Sequence, residues 1–140
     1  PKGIYSFKDV NDWAKHYGLP EIFLPDRFPF QAAAADRLCI AAGEHGKTAE
    51  LALAFFRRIW AQRRDVNDEG TQREALAEVG LEVEALLSRA QSEEVRAVLK
   101  ANTDAAVERG AFGVPTFFVE REEMFVGNDR LIFVEKALRA

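Results

Sequence analysis

Three places in the sequence carry groups able to do chemistry. The first is the stretch Gly110-Ala111-Phe112-Gly113-Val114-Pro115-Thr116-Phe117-Phe118-Val119, which sets a proline at the mouth of an apolar run. Proline has no N–H, so one ladder donor is lost there. If the Val114–Pro115 peptide is cis, the chain turns sharply. The N–H and C=O of Val114 then face outward and can pair with an extended peptide, as a strand edge does. By residue type alone a trans bond is the expectation, since about 5–6% of X–Pro bonds in folded proteins are cis. The second place is Asn128-Asp129, after the run Met124-Phe125-Val126-Gly127 and before Leu131. A side-chain oxygen here suits a helix cap.

The third place is Cys39, the one cysteine of the chain. It lies between Leu38 and Ile40 in an alanine-rich segment, with no second cysteine and no basic neighbour to lower its pKa. It reads as a small buried hydrophobe, not a nucleophile. One cysteine makes no internal disulfide, so nothing in it asks for an oxidising compartment and a cytoplasmic setting is expected. His16 and His45 lie far apart and have no metal-ligand spacing, so no metal site is expected. Glu120, Glu122 and Glu123 read as a solvated turn. Trp13 and Trp60 read as core, although Trp13 or aromatics near it are also candidates to line a site for an aromatic substrate. No glycine-rich phosphate loop is present.

The elements that position these residues are mostly helical. Ser6 with Asp9 resembles a capping box, and Phe7, Val10, Ala14 and Tyr17 follow at helical spacing until Gly18 and Pro20. Residues 21–30, with Pro25 and Pro29, read as loop. A second helix carries Ala32 to Ala42. Thr48 is read as the cap of a third, whose stripe of Leu51, Phe55 and Ile59 is widened by Leu53, Phe56 and Trp60. A stripe that broad implies packing on more than one neighbour. Asp68-Glu69-Gly70-Thr71 is a turn and cap before a short helix over 72–79, another covers 82–90, and Ser92 opens a long helix that Gly110 ends. Two short strands follow, 115–119 and 124–126, and then a final helix through Leu131, Val134 and Leu138.

The chain has 140 residues, of which 48% are hydrophobic and 30% charged, and suits a folded domain. Its net charge of -4 does not suit a nucleic-acid partner. Its one basic cluster, Arg57, Arg58, Arg63 and Arg64, reads as a solvated helix face. No apolar run approaches the roughly 20 residues of a membrane span. Two strands alone make a marginal sheet. Strands this apolar imply cover on both faces and further strands to pair with.

Gly-Val-Pro-Thr at a strand start, combined with Phe125-Val126-Gly127-Asn128-Asp129-Arg130-Leu131, resembles the end of the thioredoxin-type domain in the family of 2-hydroxychromene-2-carboxylate isomerases and kappa-class glutathione transferases, relatives of DsbA. The first motif is shared by many DsbA relatives; its combination with the second is specific to the isomerase and kappa branch. Pro1-Lys2-Gly3-Ile4-Tyr5 resembles the entry to that family's helical insertion, and residues 6–109 the insertion itself. The resemblance implies an α/β fold: a thioredoxin-like, DsbA-like sheet with a large helical insertion, divided into a helical part over 1–110 and the carboxy-terminal part of the thioredoxin-like domain over 111–140. The strand-helix-strand unit that completes the sheet, with the serine that activates the glutathione sulfur, is then expected upstream of Pro1.

By the same resemblance the Val114–Pro115 bond is cis, and Val114 pairs its main chain with the cysteinyl part of glutathione. Asn128 and Asp129 hold the γ-glutamyl end, and Lys2 meets the glycine carboxylate. Without the resemblance, Lys2 is an exposed lysine near a chain end. The implied activity is glutathione-dependent isomerisation of an aromatic ring-cleavage product by a homodimer with a small aromatic substrate: the sulfur adds, a bond rotates and the sulfur leaves. The alternatives are transfer of glutathione to an electrophile, a DsbA-like thiol-disulfide oxidoreductase, and a non-catalytic helical interaction module.

Overall fold

The computed structural model describes residues 2–120 and 123–139, apart from the side chain of Lys2. Seven α-helices and one two-stranded sheet are formed by the described residues. Helix α1 spans Lys2–His16, α2 Ala33–Gly43 and α3 Thr48–Phe56, and α3 runs on into a π-helical turn over Arg57–Ala61. Helices α4 (Glu69–Glu78), α5 (Val83–Arg89) and α6 (Glu93–Glu108) follow. Strands β1 (Thr116–Val119) and β2 (Glu123–Val126) come next, then a 3-10 turn over Asn128–Arg130 and α7 (Leu131–Leu138). The contacts divide the chain into two compact units, Pro1–Leu99 and Lys100–Ala140, with the division inside α6.

The core of the first unit is built by α2 to α5. Ala41, Ala42 and Ala54 are fully buried, and Leu38, Leu51, Phe55 and Leu76 close around them. Small residues on α2 and α3 let the two backbones approach, and larger aliphatic side chains fill the space between α3, α4 and α5. Val95 is the residue of α6 that enters this core.

Most sequence-level boundaries match within a few residues. Asp68 caps α4 by accepting from the N–H of Thr71 at 2.7 Å. The hydroxyl of Ser92 accepts from the N–H of Val95 at 3.3 Å at the start of α6. Several expectations are corrected. The Ser6–Asp9 pair does not open a helix, because α1 already begins at Lys2 and Ser6 lies within it. Thr48 is not a cap: it is the first residue of α3, and its hydroxyl donates to the carbonyl of Cys39 at 3.0 Å, tying α3 to α2.

The broad stripe of α3 is only half covered within its unit. Leu51, Phe55 and Ile59 are buried, whereas Leu53 and Phe56 are 61% and 56% exposed. The arginine cluster is not wholly solvated either. Arg58 is buried, donates to Glu78 at 2.7 Å and also to the carbonyl of Ala54 at 3.2 Å. Arg57 shares Glu78, Arg63 pairs with Asp26 and Arg64 with Glu74, so each arginine of the cluster has a carboxylate.

In the second unit β1 and β2 pair antiparallel, with Thr116 opposite Val126 and Phe117 opposite Phe125, and α7 packs on both strands. Arg109 lies over the Phe118 ring, 3.8 Å from its centroid, and donates to the carbonyl of Glu120 at 3.2 Å. A cation over a ring face gains from the ring quadrupole.

The exposure contrast along α3 sets a test. Leu51→Ala should cost about 2–5 kcal/mol in urea unfolding, because it opens a cavity between α2, α3 and α4. Leu53→Ala should stay within about 0.5 kcal/mol, as for other surface changes.

Candidate functional site

The candidate ligand site on the second unit is assembled from the approach to β1 and the turn after β2. The Val114–Pro115 peptide is cis, as the resemblance implied and against the expectation from residue type alone. The hydroxyl of Thr116 donates to the carbonyl of Gly113 at 2.5 Å, and the carbonyl of Pro115 accepts from the N–H of Gly127 at 2.9 Å. The groups on either side of Val114 are therefore engaged. The N–H and C=O of Val114 itself bond to no described residue, and Val114 is 95% exposed. Its main chain is an open donor–acceptor pair at the end of a strand.

The bond from Gly127 to Pro115 brings the second motif beside the first. Gly127 has φ +101° and ψ 150°, a region open essentially to glycine alone. A Cβ at Gly127 would lie 2.6 Å from Oδ1 of Asp129, so the glycine also makes room for that carboxylate. The expected capping role of Asn128 and Asp129 is corrected here. Neither the 3-10 turn nor α7 has a side-chain cap bond. Asp129 instead accepts from Arg130 at 2.7 Å, with both side chains about half exposed. The turn places the carboxylate back over Gly127 and leaves capping unneeded, because the 3-10 turn carries the chain directly into α7.

Lys2 is the first described residue of α1, and its side chain lies outside the described residues. Glu122 likewise lies outside them. Glu120 has φ +55° and is exposed at the hairpin turn. His16 packs its ring against Trp13 and Tyr17 at the exposed end of α1. Among the described residues no group of three or more His, Cys, Asp and Glu side chains is placed to hold a metal ion, and no helix is long and apolar enough to cross a membrane.

Cys39 is partly buried against the helical core, and burial pushes its thiol up from the ordinary 9.0 to about 11. The nearby carboxylate of Asp36 acts in the same direction. That is the reverse of what a nucleophilic thiol needs.

A second concavity, not foreseen in the sequence, lies wholly in the first unit. It has a volume of about 630 Å³ between α1 and the segment that follows it. Phe7 and Val10 of α1 line one side, Ile22, Leu24 and Phe28 the other, and Trp60 of the π-helical turn joins them. The segment 21–30 has no regular structure, so its backbone groups need partners from elsewhere. Asn11 supplies two. Its amide donates to the carbonyl of Ile22 at 3.1 Å, and its side-chain oxygen accepts from the N–H of Ile22 at 2.9 Å. The carbonyl of Trp60 accepts from the N–H of Phe23 at 2.8 Å. Trp13, the aromatic considered from sequence for such a site, stacks instead on Tyr17, with ring centroids 5.6 Å apart.

A family model described as a DsbA-like thioredoxin domain matches residues 1–139. The chain is 32% identical to a 2-hydroxychromene-2-carboxylate isomerase of Sphingobium xenophagum, over 99% of this chain and 69% of that protein. It is 27% identical to human glutathione S-transferase kappa 1, over 93% of this chain and 63% of that protein. A solved structure of 2-hydroxychromene-2-carboxylate isomerase superimposes with a TM-score of 0.88 at 27% identity, covering 99% of this chain and 66% of that one. The chain thus spans about two thirds of the length of these relatives.

Two outcomes test the geometry. Gly127→Ala should cost about 1–3 kcal/mol in thermal or urea unfolding, since it forces an alanine into a glycine-only conformation. Cys39 should make the protein less stable as pH rises from about 9 to about 11. In that window the unfolded thiol has released its proton while the folded one holds it, so the unfolded state binds fewer protons. The urea midpoint of the wild type should therefore fall more steeply over that range than the midpoint of Cys39→Ala.

Proposed function

This chain belongs to the DsbA-like thioredoxin-domain family, and we propose that the protein it forms is a glutathione-dependent isomerase of an aromatic ring-cleavage product, of the 2-hydroxychromene-2-carboxylate type. The observation that carries the reading is the open main chain of Val114 beside the Asn128–Asp129 turn. Glutathione is a short extended peptide. Its cysteinyl N–H and C=O match the unpaired C=O and N–H of Val114, as in strand addition. The Gly127–Pro115 bond fixes the distance between this pair and the turn, so the cysteinyl and γ-glutamyl parts of the ligand meet prepared groups.

The γ-glutamyl end carries an ammonium and a carboxylate on one carbon. The exposed carboxylate of Asp129 suits the ammonium, and Asn128 beside it offers an amide to the carboxylate. On this reading Lys2 takes the glycine carboxylate as a compact point charge. Bound glutathione supplies the thiol that adds to and leaves the substrate. The residues of this chain bind and orient it. The reading brings with it a small aromatic substrate, a homodimer and a cytoplasmic setting.

Similarity to human glutathione S-transferase kappa 1 favours a second reading, transfer of glutathione to an electrophile on the same site. The residue that opens the first thioredoxin-type helix separates both from a DsbA-like oxidoreductase: serine for the glutathione reactions, Cys-X-X-Cys for disulfide exchange. A non-catalytic interaction module would bind no glutathione.

Asp129→Asn in the intact protein is the direct test. A charge-assisted contact to the ligand ammonium is worth about 1.5–3 kcal/mol, so affinity for glutathione by calorimetry should fall about tenfold or more. Stability should hardly change, because Asp129 caps no helix and its pair with Arg130 is solvent-exposed. Unchanged glutathione affinity would remove Asp129 from the site.

A further inference from the structure

We propose that a further concavity of the first unit, where residues 25–30 face residues 63–68, binds an α-amino-acid head group. The ammonium and carboxylate of the ligand exchange with ion pairs at the rim, and its side chain lies on an apolar floor. The site goes beyond the isomerase reading and does not depend on it.

The concavity has a volume of about 560 Å³, within the range of small-molecule sites, roughly 300–1,000 Å³. Its rim alternates in sign. Asp26 and Arg27 stand on one wall, Arg63 and Asp65 on the other. Two ion pairs of opposite sense cross between the walls: Arg63 to Asp26 at 2.6 Å and Arg27 to Asp65 at 3.5 Å. The other charged groups that line the concavity are already engaged. Arg64 gives Glu74 two bonds, at 3.0 and 3.2 Å, and Asp68 caps α4. Pro25 and Val66 are buried and Phe30 is half-buried, so these apolar residues form the floor.

The rim selects its ligand by charge. A lone anion here meets two carboxylates, and a lone cation meets two guanidiniums. A molecule with both signs close together avoids both conflicts. The head group of an α-amino acid has its ammonium and its carboxylate on one carbon. Its carboxylate accepts from Arg27 and Arg63, a charge-assisted contact that guanidinium favours, and its ammonium donates to Asp26 and Asp65. Each rim group exchanges one partner for another of the same sign, so no charge is left unmatched. Opening the pairs costs little, because the side chains of Arg27 and Asp26 are 83% and 77% exposed. Asp65 stays in place meanwhile, since its other carboxylate oxygen accepts from the N–H of Asn67 at 2.8 Å.

Arg63 adds an independent sign of use. Its φ of +56° lies in the left-handed region that favours glycine. It follows the π-helical turn, where the N–H of Arg64 reaches back to the carbonyl of Arg58 at 2.8 Å, and helices commonly place glycine at such an end. Arginine holds this backbone under a strain that glycine would relieve. What arginine contributes there is the guanidinium on the rim.

The test is equilibrium dialysis of the intact protein with L-leucine and its two half-ligands, 4-methylpentanoate, which lacks the ammonium, and 3-methylbutylamine, which lacks the carboxylate. L-leucine should bind saturably, and each half-ligand should bind more weakly by about tenfold or more. Arg63→Gly and Arg27→Gln should each weaken L-leucine by about tenfold or more. Arg63→Gly also relieves the backbone, so its urea midpoint should hold or rise, and lost binding is then not lost folding. Glutathione carries the same head group at its γ-glutamyl end, so it is added as a competitor. Displacement of L-leucine at equal concentration makes the tripeptide the occupant of the site, and persistence makes it a free amino acid. No saturable binding of L-leucine, equal affinity for either half-ligand, or full affinity in both arginine variants overturns the proposal. So does a loss of L-leucine binding in Asp129→Asn alone, which puts the head group on the second unit.

Discussion

The hydrogen bond from Phe23 to the carbonyl of Trp60 joins the two parts of the first unit that sequence order keeps apart. A helix end leaves its last carbonyls without partners, and a segment without regular structure leaves its N–H groups the same way. Here each need answers the other at 2.8 Å. The consequences spread outward. The Trp60 ring is drawn to Phe28 and Phe30, residues 21–30 become a wall, and Asn11 closes that wall onto α1. Without this tie the segment between α1 and α2 would have no reason to stand beside the aromatic cluster.

What fixes Trp60 in turn is the π-helical turn that extends α3. The N–H of Gln62 reaches the carbonyl of Arg57, five residues back, at 3.1 Å. Arg58 in this turn is buried, which is costly for a charge unless it is paired. Glu78 on α4 provides the pairing, and the carbonyl of Ala54 takes a second donor, leaving Nε of Arg58 without a partner among the described residues. The buried guanidinium couples the end of α3 to α4, and its carboxylate partner is held below the usual range, first by the bond from Arg58. The turn is therefore anchored from the core side, and the cleft lies on a rigid support.

These dependencies explain which features were legible in the sequence. Local signals read well. Asp68 and Ser92 cap through bonds to residues three positions on, the Gly127 turn is set by one residue's conformation, and the apolar faces of α2 and α3 repeat at helical spacing. The Val114–Pro115 geometry was legible only through the combination of two motifs, because proline alone favours trans. Ser6–Asp9 misled because a capping box is a pattern of two residues, and here the four residues before it are also helical. Thr48 misled in the same manner: its hydroxyl finds the carbonyl of Cys39 on the preceding helix, a partner no local rule names. The cleft was invisible because its sides come from positions as far apart as Phe7 and Trp60, and the Asn11–Ile22 and Phe23–Trp60 bonds that bring them together leave no periodic trace.

The candidate ligand site on the second unit has a different physical character, and the pair Asp129–Arg130 shows it. Both side chains are about half exposed, so the pair is screened and contributes little to stability. The pair Arg58–Glu78 resists separation more, since the buried guanidinium left without its carboxylate is penalised, although Glu78 itself reaches solvent. An exposed pair has no such penalty. On the proposed reading the incoming zwitterion presents its ammonium to Asp129 and its carboxylate to the Asn128 amide, and the exposed guanidinium of Arg130 turns to solvent. The energetic cost of opening the pair is small before the ligand arrives and is offset once it is bound. The rigid elements around it, the Gly127–Pro115 bond and the engaged carbonyl of Gly113, do not need to move for that exchange. The protein thus places the contact that holds a buried guanidinium where the scaffold must hold, and, on the proposed reading, its weak, exposed pair where a charged guest enters.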